Sequence, residues 1–287
     1  MPLPRWCDGA VSTVTVVGSV NLDLVATLDR LPAPGETRTA TGFTRVPGGK
    51  GANQALAAAR LGATVHLVAA VGPDGEEALV LLRREGVELT RVREVDATTG
   101  LALIEVDTAG ETTIVVVPGA NAALTVAPED VAGADAVLTV LEVPDDAVRA
   151  AAEHATGLFV LNAAPARPVS PDVLARADLV VVNRAEHAAI LGLDAARAVA
   201  VTRGAEGVVL LRDGREVARA APPPVTAVDG TGAGDAFVAA VVVGLLDGLP
   251  DAELLARGCA AGALAATRPG AQPSLPTAAE IVQALAG

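Results

Sequence analysis

The chain has 287 residues, a formal net charge of −13 and 51% hydrophobic residues. That acidity excludes a nucleic-acid partner held by phosphate neutralisation, which needs clusters of Lys and Arg. Aromatic residues make up only 1%, so the core is expected to be Ala, Val and Leu, with little base stacking in any ligand site.

The length suits one large α/β domain over 1–287. The longest unbroken apolar run, Ala236 to Leu246, meets Asp247 too early to span a membrane. Met1 to Ala10 carries Arg5, Trp6 and Asp8 and reads as no signal peptide. Cys7 and Cys259 share no metal-ligand spacing and read as reduced thiols. The expectation is a soluble cytoplasmic protein.

Thr13–Val17 is the first predicted strand, followed by Gly18-Ser-Val-Asn-Leu-Asp23. Ligands of open α/β sheets bind beyond the carboxyl ends of strands, which puts Asn21 and Asp23 within reach of one. The same residues also serve as turn or capping devices. One glycine there does not make the Gly-x-Gly-x-x-Gly dinucleotide fingerprint. Leu22–Arg45, with Pro32, Pro34 and Gly35, then breaks the β/α rhythm as a β-rich excursion.

Gly48-Gly-Lys-Gly-Ala-Asn53 contains Lys50, the only lysine in a chain that otherwise uses arginine. Lysine is a compact point charge and arginine a wide planar fork, so this position suits a site that a fork does not fit. Gly49 permits close backbone approach to a ligand. A helix is predicted over Asn53–Leu61, then a strand over Val65–Val71 and a helix over Gly75–Glu85. Leu101–Val106 and Thr112–Val117 read as a hairpin around 107–111, the second β-rich excursion.

Strand Val137–Leu141 ends at Glu142, on the expected ligand side. Helix Asp145–Ala155 and strands Leu158–Leu161 and Leu179–Val182 follow. Asn183 and Glu186 are spaced as a capping box, and the same carboxylate also suits a hydrated magnesium ion. Helix Ala185–Leu191 leads through a short 193–199 connection to strand Val199–Thr202. Arg184–Ala198 barely meets the length of a parallel crossover, and the sheet there is expected to be less well covered. Thr202-Arg-Gly-Ala-Glu-Gly207 is a glycine turn able to hold a nucleotide, and Val208–Arg212 with Glu216–Ala220 forms another hairpin.

Val228 to Phe237 reads Val-Asp-Gly-Thr-Gly-Ala-Gly-Asp-Ala-Phe. A glycine turn entering a helix directs free N–H groups and the positive dipole end at one spot, which suits an anion. The carboxylate of Asp235 on that first turn fits a general base beside a transferring phosphoryl group. The last third is predicted helical over Ala233–Leu246, Asp251–Ala266 and Thr277–Ala286. The three histidines form no cluster, and there is neither a Gly-x-Ser-x-Gly elbow nor a P-loop.

From about Val16 to Pro276, in order, the chain resembles the ribokinase-like carbohydrate kinases. The resemblance rests on Gly18–Asp23, Pro34-Gly-Glu36, Gly48–Gln54, Gly119-Ala-Asn-Ala-Ala123, Asn183–Glu186, Asp229–Asp235 and Gly270-Ala-Gln-Pro-Ser274. It implies a three-layer α/β sandwich with a central, mostly parallel sheet and a small β lid formed by about 22–45 and 98–118. It also implies ATP-dependent phosphorylation of the D-ribose 5-hydroxyl. The alternatives are another sugar or nucleoside as acceptor, and a non-catalytic sugar-binding regulator.

The roles it implies are as follows. Asp235 takes the hydroxyl proton, while N–H groups of Gly232, Ala233 and Gly234 stabilise the γ-phosphoryl charge. Asn21, Asp23, Gly49, Lys50, Asn53 and Glu142 hold the sugar, and Asn183, Thr202, Gly204, Gly207 and Gly234 line the nucleotide. Glu186 organises magnesium; Asp229, Thr231, Ala265, Arg268, Gly270 and Ser274 surround potassium. Two lids pair to make a homodimer. Gly230 and Gly232 make the catalytic turn richer in glycine than the family's usual one and are expected to loosen it.

Overall fold

The computed structural model describes residues 11–286, so the predictions for Met1 to Ala10, Cys7 included, lie outside the described residues. The elements run β1 (Thr13–Val17), β2 (Asn21–Thr27), β3 (Gly42–Gly48), α1 (Lys50–Arg60), β4 (Thr64–Val71), α2 (Glu76–Arg84), β5 (Val92–Glu94), β6 (Gly100–Val106) and β7 (Thr112–Val117). They continue α3 (Pro128–Val131), β8 (Ala136–Val140), α4 (Asp145–His154), β9 (Leu158–Asn162), α5 (Pro171–Arg176), β10 (Leu179–Asn183), α6 (Arg184–Ala189) and β11 (Val199–Thr202). The chain closes with β12 (Val208–Arg212), β13 (Arg215–Ala220), α7 (Ala233–Leu246), α8 (Asp251–Ala265) and α9 (Ala278–Ala286).

Nine strands form the central sheet in the order β13-β12-β11-β10-β9-β8-β1-β4-β5. It is parallel from β11 to β5 and turns antiparallel at β11–β12 and β12–β13. Strands buried on both faces read as continuous apolar runs, and alternate residues serve opposite layers. In β10, Leu179 and Val181 join the core beneath α1, α2, α7 and α8, whereas Val180 and Val182 join the core beneath α4 and α5. The cores are Ala, Val and Leu, as the composition predicts.

The short connection between β10 and β11 is complete. It consists of α6 and a 3-10 turn at Leu193–Ala195. Ile190, Leu193 and Ala196 are buried against Val180, Val182, Val199 and Val201, so the expected thin cover is not found. Four features escape the sequence reading: α3, β5 and α5 altogether, and the first turn of α1, which begins at Lys50 rather than Asn53.

A second sheet of four strands, β3-β2-β6-β7, holds two antiparallel pairs around a parallel one. Asn21 pairs with Gly48 on one side and Gly100 on the other. The small sheet therefore springs from the same edge of the body where β1, β4 and β8 end. The cavity between the two sheets follows from that placement.

Candidate active site

A cleft of about 840 Å³ lies under the small sheet, at the carboxyl ends of the central strands. Its walls bring together Asn21, Asp23, Gly49, Lys50, Asn53, Glu142, Asn183, Glu186, Thr202, Asp229, Thr231, Gly232, Gly234, Asp235 and Gly270. The small sheet contributes an apolar ceiling that includes Val25, Ile104 and Val116.

Two helix N-termini meet at its centre. α1 begins at Lys50, with no acidic residue in its first turn. A lysine at that end opposes the helix dipole and costs stability, the mark of a position chosen for another purpose. Gly49 precedes it at φ 89°, where an added Cβ would lie 2.7 Å from Asn21 N and 2.8 Å from Ser19 O. Only glycine fits that approach.

α7 enters through Gly232, at φ 78°, whose added Cβ would lie 3.0 Å from Ala271 Cα. A side chain at Gly232 would thus be strained by both the φ and Ala271, while a Cβ at Gly230 would meet open space. Among the described residues, the N–H groups of Gly232 and Gly234 find no acceptor within the chain. Ala233 N–H instead donates to Gly230 O (3.2 Å), and Ala233 stands off the cavity wall.

Asp235, on the first turn of α7, is 7% exposed. Asn53 Nδ2 donates to its Oδ2 (2.8 Å) and Gln54 Nε2 to its Oδ1 (2.9 Å), so both oxygens are aimed from α1. Gln54 Nε2 also donates to Asn162 Oδ1 (2.8 Å), which orients the amide. Burial raises the Asp235 carboxyl above the usual carboxylate range, against the lowering pull of Lys50 and the two amides. A raised carboxyl is the stronger proton acceptor.

Burial works to lower the Lys50 ammonium, but Asp235, Glu142, Glu186 and Asp23 together raise it. Among the described residues no hydrogen bond or ion pair engages its Nζ, so a charge surrounded by carboxylates stays available to a ligand. Asp23 is pushed up to about 7, by burial first and then by Glu142 and Asp235. Glu142 accepts hydrogen bonds from Ser19 Oγ (2.5 Å) and Lys50 N–H (3.1 Å). Asn21 Oδ1 accepts from Asn121 Nδ2 (2.8 Å), and Asn121 also ties down the Val20 main chain.

Gln54, Asn162 and Asn121 are the site-supporting residues that the sequence reading left without a role. Gln54 and Asn121 lay inside quoted motifs, yet their contacts span long sequence distances that no local pattern encodes. Gly204 and Gly207 shape the turn after β11 beside Thr202 but stay off the cavity wall.

Asn183 and Glu186 form the capping box: Asn183 Oδ1 accepts from Glu186 N–H (2.9 Å) and Glu186 Oε2 from Asn183 N–H (2.7 Å). Glu186 still borders the cavity, and burial raises its carboxyl. One carboxylate beside a phosphate site fits magnesium, which keeps several waters and needs few protein ligands. Asp229 accepts from Thr231 N–H (2.9 Å), Thr231 Oγ1 (2.6 Å) and Gly270 N–H (2.7 Å), which staples 229–231 to the 265–274 loop. Ala265, the last residue of α8, and Ser274 are buried, and Arg268 turns its side chain to Glu280. The Asp229 carboxylate, the Thr231 and Ser274 hydroxyls and the main-chain carbonyls of this stretch are oxygen donors of the kind a hard cation takes.

A family model described as pfkB family carbohydrate kinase matches residues 11–278. A ribokinase of Bacillus subtilis is 37% identical over 290 residues, covering 95% of this chain and 99% of the relative. A ribokinase of Haemophilus influenzae is 35% identical over 302 residues, covering 95% and 98%. Among solved structures, Arabidopsis thaliana ribokinase complexed with ribose and ATP gives a TM-score of 0.88 at 29% identity, covering 96% of this chain and 99% of that one. Ribokinase of Thermotoga maritima gives 0.86 at 30% identity, covering 96% and 100%.

Proposed function

From its membership of the pfkB family of carbohydrate kinases, to which this chain belongs, we propose that it transfers the γ-phosphoryl group of ATP to the 5-hydroxyl of D-ribose. The observation that carries this reading is the buried Asp235 carboxylate, aimed by Asn53 and Gln54 at a cavity that also receives the uncommitted N–H groups of α7.

Asn21, Asp23, Glu142, Asn53 and the Lys50 region hold the sugar hydroxyls beneath the small sheet. Asp235 takes the proton of the 5-hydroxyl as its oxygen bonds to the γ-phosphorus. The bond from that phosphorus to the β,γ-bridging oxygen breaks, and ADP leaves with the electron pair. Gly232 and Gly234 N–H groups meet the charge on the transferring oxygens; removing one such preorganised donor typically costs about 10²–10³ in rate. Lys50 adds a positive charge at the start of α1. Glu186 would hold magnesium, and Asp229, Thr231, Ala265, Arg268, Gly270 and Ser274 would hold potassium; when bound, these ions would supply positive charge that offsets the charge of the phosphates. Asn183, Thr202 and the 204–207 turn border the nucleotide.

The whole chain acts as one domain, with 22–45 and 98–118 as its lid, in the cytoplasm, where ATP is supplied. A second copy of the chain covers the lid. The support is β7, an edge strand on which Ile114, Val115, Val116 and Val117 are 37–55% exposed. Open apolar edges of this kind are normally covered.

An assay coupling ADP release to a panel of sugars tests the function. Ribose is expected to give the highest kcat/KM, and Asp235→Asn to lose about 10²–10⁴ of kcat. No turnover on ribose, or an unimpaired Asp235→Asn, would refute the reading.

A further inference from the structure

Glu142 stands just past the end of β8, where the ladder to β9 has stopped at the pair Val140–Asn162. Its main chain is therefore held by something other than the sheet. The loop after β9 does this. Leu141 N–H donates to Ala164 O (3.0 Å), and Arg167 reaches back, with Nε donating to Leu141 O (3.0 Å) and Nη2 to Val143 O (2.7 Å). Arg167 also pairs with Asp145 at the start of α4. One planar fork thus grips the carbonyls on both sides of Glu142.

Arg167 does not line the cavity. Its side chain is only 25% exposed, and its two carbonyl bonds leave Glu142 itself free to face Ser19 Oγ and Lys50 N–H. We propose that Arg167 is a positioning residue that sets the direction of the Glu142 carboxylate and, through it, the affinity for the acceptor sugar. The geometry needs a fork. A lysine ammonium is a single point charge and does not reproduce separate donors at Nε and Nη2. The inference rests on the sugar-kinase reading above.

Calorimetry of ribose binding, paired with the ADP assay, tests it. Arg167→Met is expected to weaken ribose binding about tenfold, as the loss of charge-assisted bonds predicts. The KM for ATP and kcat at saturating ribose should change little. Arg167→Lys should recover only part of the loss, and it serves as the test variant if Arg167→Met does not fold. Asp145→Asn, which removes the ion pair but neither carbonyl bond, should bind ribose as the wild type does.

The decisive comparison is a double-variant cycle. If Arg167 acts through Glu142, Glu142→Ala with Arg167→Met binds ribose no more weakly than Glu142→Ala alone. Independent, multiplying losses would overturn the inference, as would a variant whose kcat and both KM values worsen in parallel with its melting temperature. A wild type that binds no ribose overturns the kinase reading and this inference with it. Normal wild-type binding with multiplying losses overturns this inference alone.

Discussion

Replacing Asp23 by asparagine should stabilise the ligand-free protein at pH 8 and barely change it at pH 4. The carboxyl is raised from 3.8 to about 7 by burial and by the neighbouring Glu142 and Asp235. A carboxyl raised in the folded state binds its proton more tightly there than in the unfolded chain. Its contribution to stability is complete below about 3.8 and is lost as pH climbs through about 7. At about 1.4 kcal/mol per pH unit over that window, keeping Asp23 ionised costs the fold about 4 kcal/mol at pH 8. Asparagine has nearly the same shape and no charge, so it removes that cost, and at about 2 °C per kcal/mol the melting temperature should rise about 8 °C. Denaturant unfolding at pH 4, 6 and 8 reads the difference directly. A gain equal at all three values, or a loss at pH 8, would refute the argument. The same variant should lose ribose affinity, because the cost is borne for a carboxylate that the sugar hydroxyls engage.

Gly232→Ala forces a Cβ against Ala271 at a left-handed φ, which should cost about 1–3 kcal/mol in urea unfolding and lower kcat with it. Lys50→Arg should reduce kcat/KM for ATP at least tenfold, since the fork does not fit at the start of α1; steady-state kinetics at varied ATP checks this. Val115→Arg, on the lid face away from the cavity, should convert a dimer to a monomer in light scattering while the melting temperature stays within a few degrees.

Much of this molecule is legible along the chain. Val14–Val17, Val65–Val71 and Leu179–Val182 announce a doubly covered parallel sheet, because both faces of each strand must be apolar. The glycine turn ahead of Phe237 and the lone Lys50 announce an anion site, because a glycine turn entering a helix leaves N–H groups free and a lysine is a compact point charge where arginine is a fork. Short β5 carries too few residues for periodicity to register, and α3 and α5 are each under two turns. Lys50 as the first residue of α1 was missed because its unfavourable helix-end charge argues against a helix starting there.

Local chemistry settled which residues are strange, and packing settled what they do to one another. The sequence by itself determined the order of the longer strands and helices, the glycine turns, and the set of carboxylates and amides at strand and helix ends. Each of these follows from backbone sterics and hydrophobic period within a few residues. Only the tertiary structure decided that Asn53 and Gln54 aim Asp235 across a separation of 182 and 181 residues, that Arg167 grips the chain around Glu142, and that burial lifts Asp23 to about 7. Those outcomes depend on distance and dielectric, which exist only once the two helix ends and the small sheet have closed around one cavity.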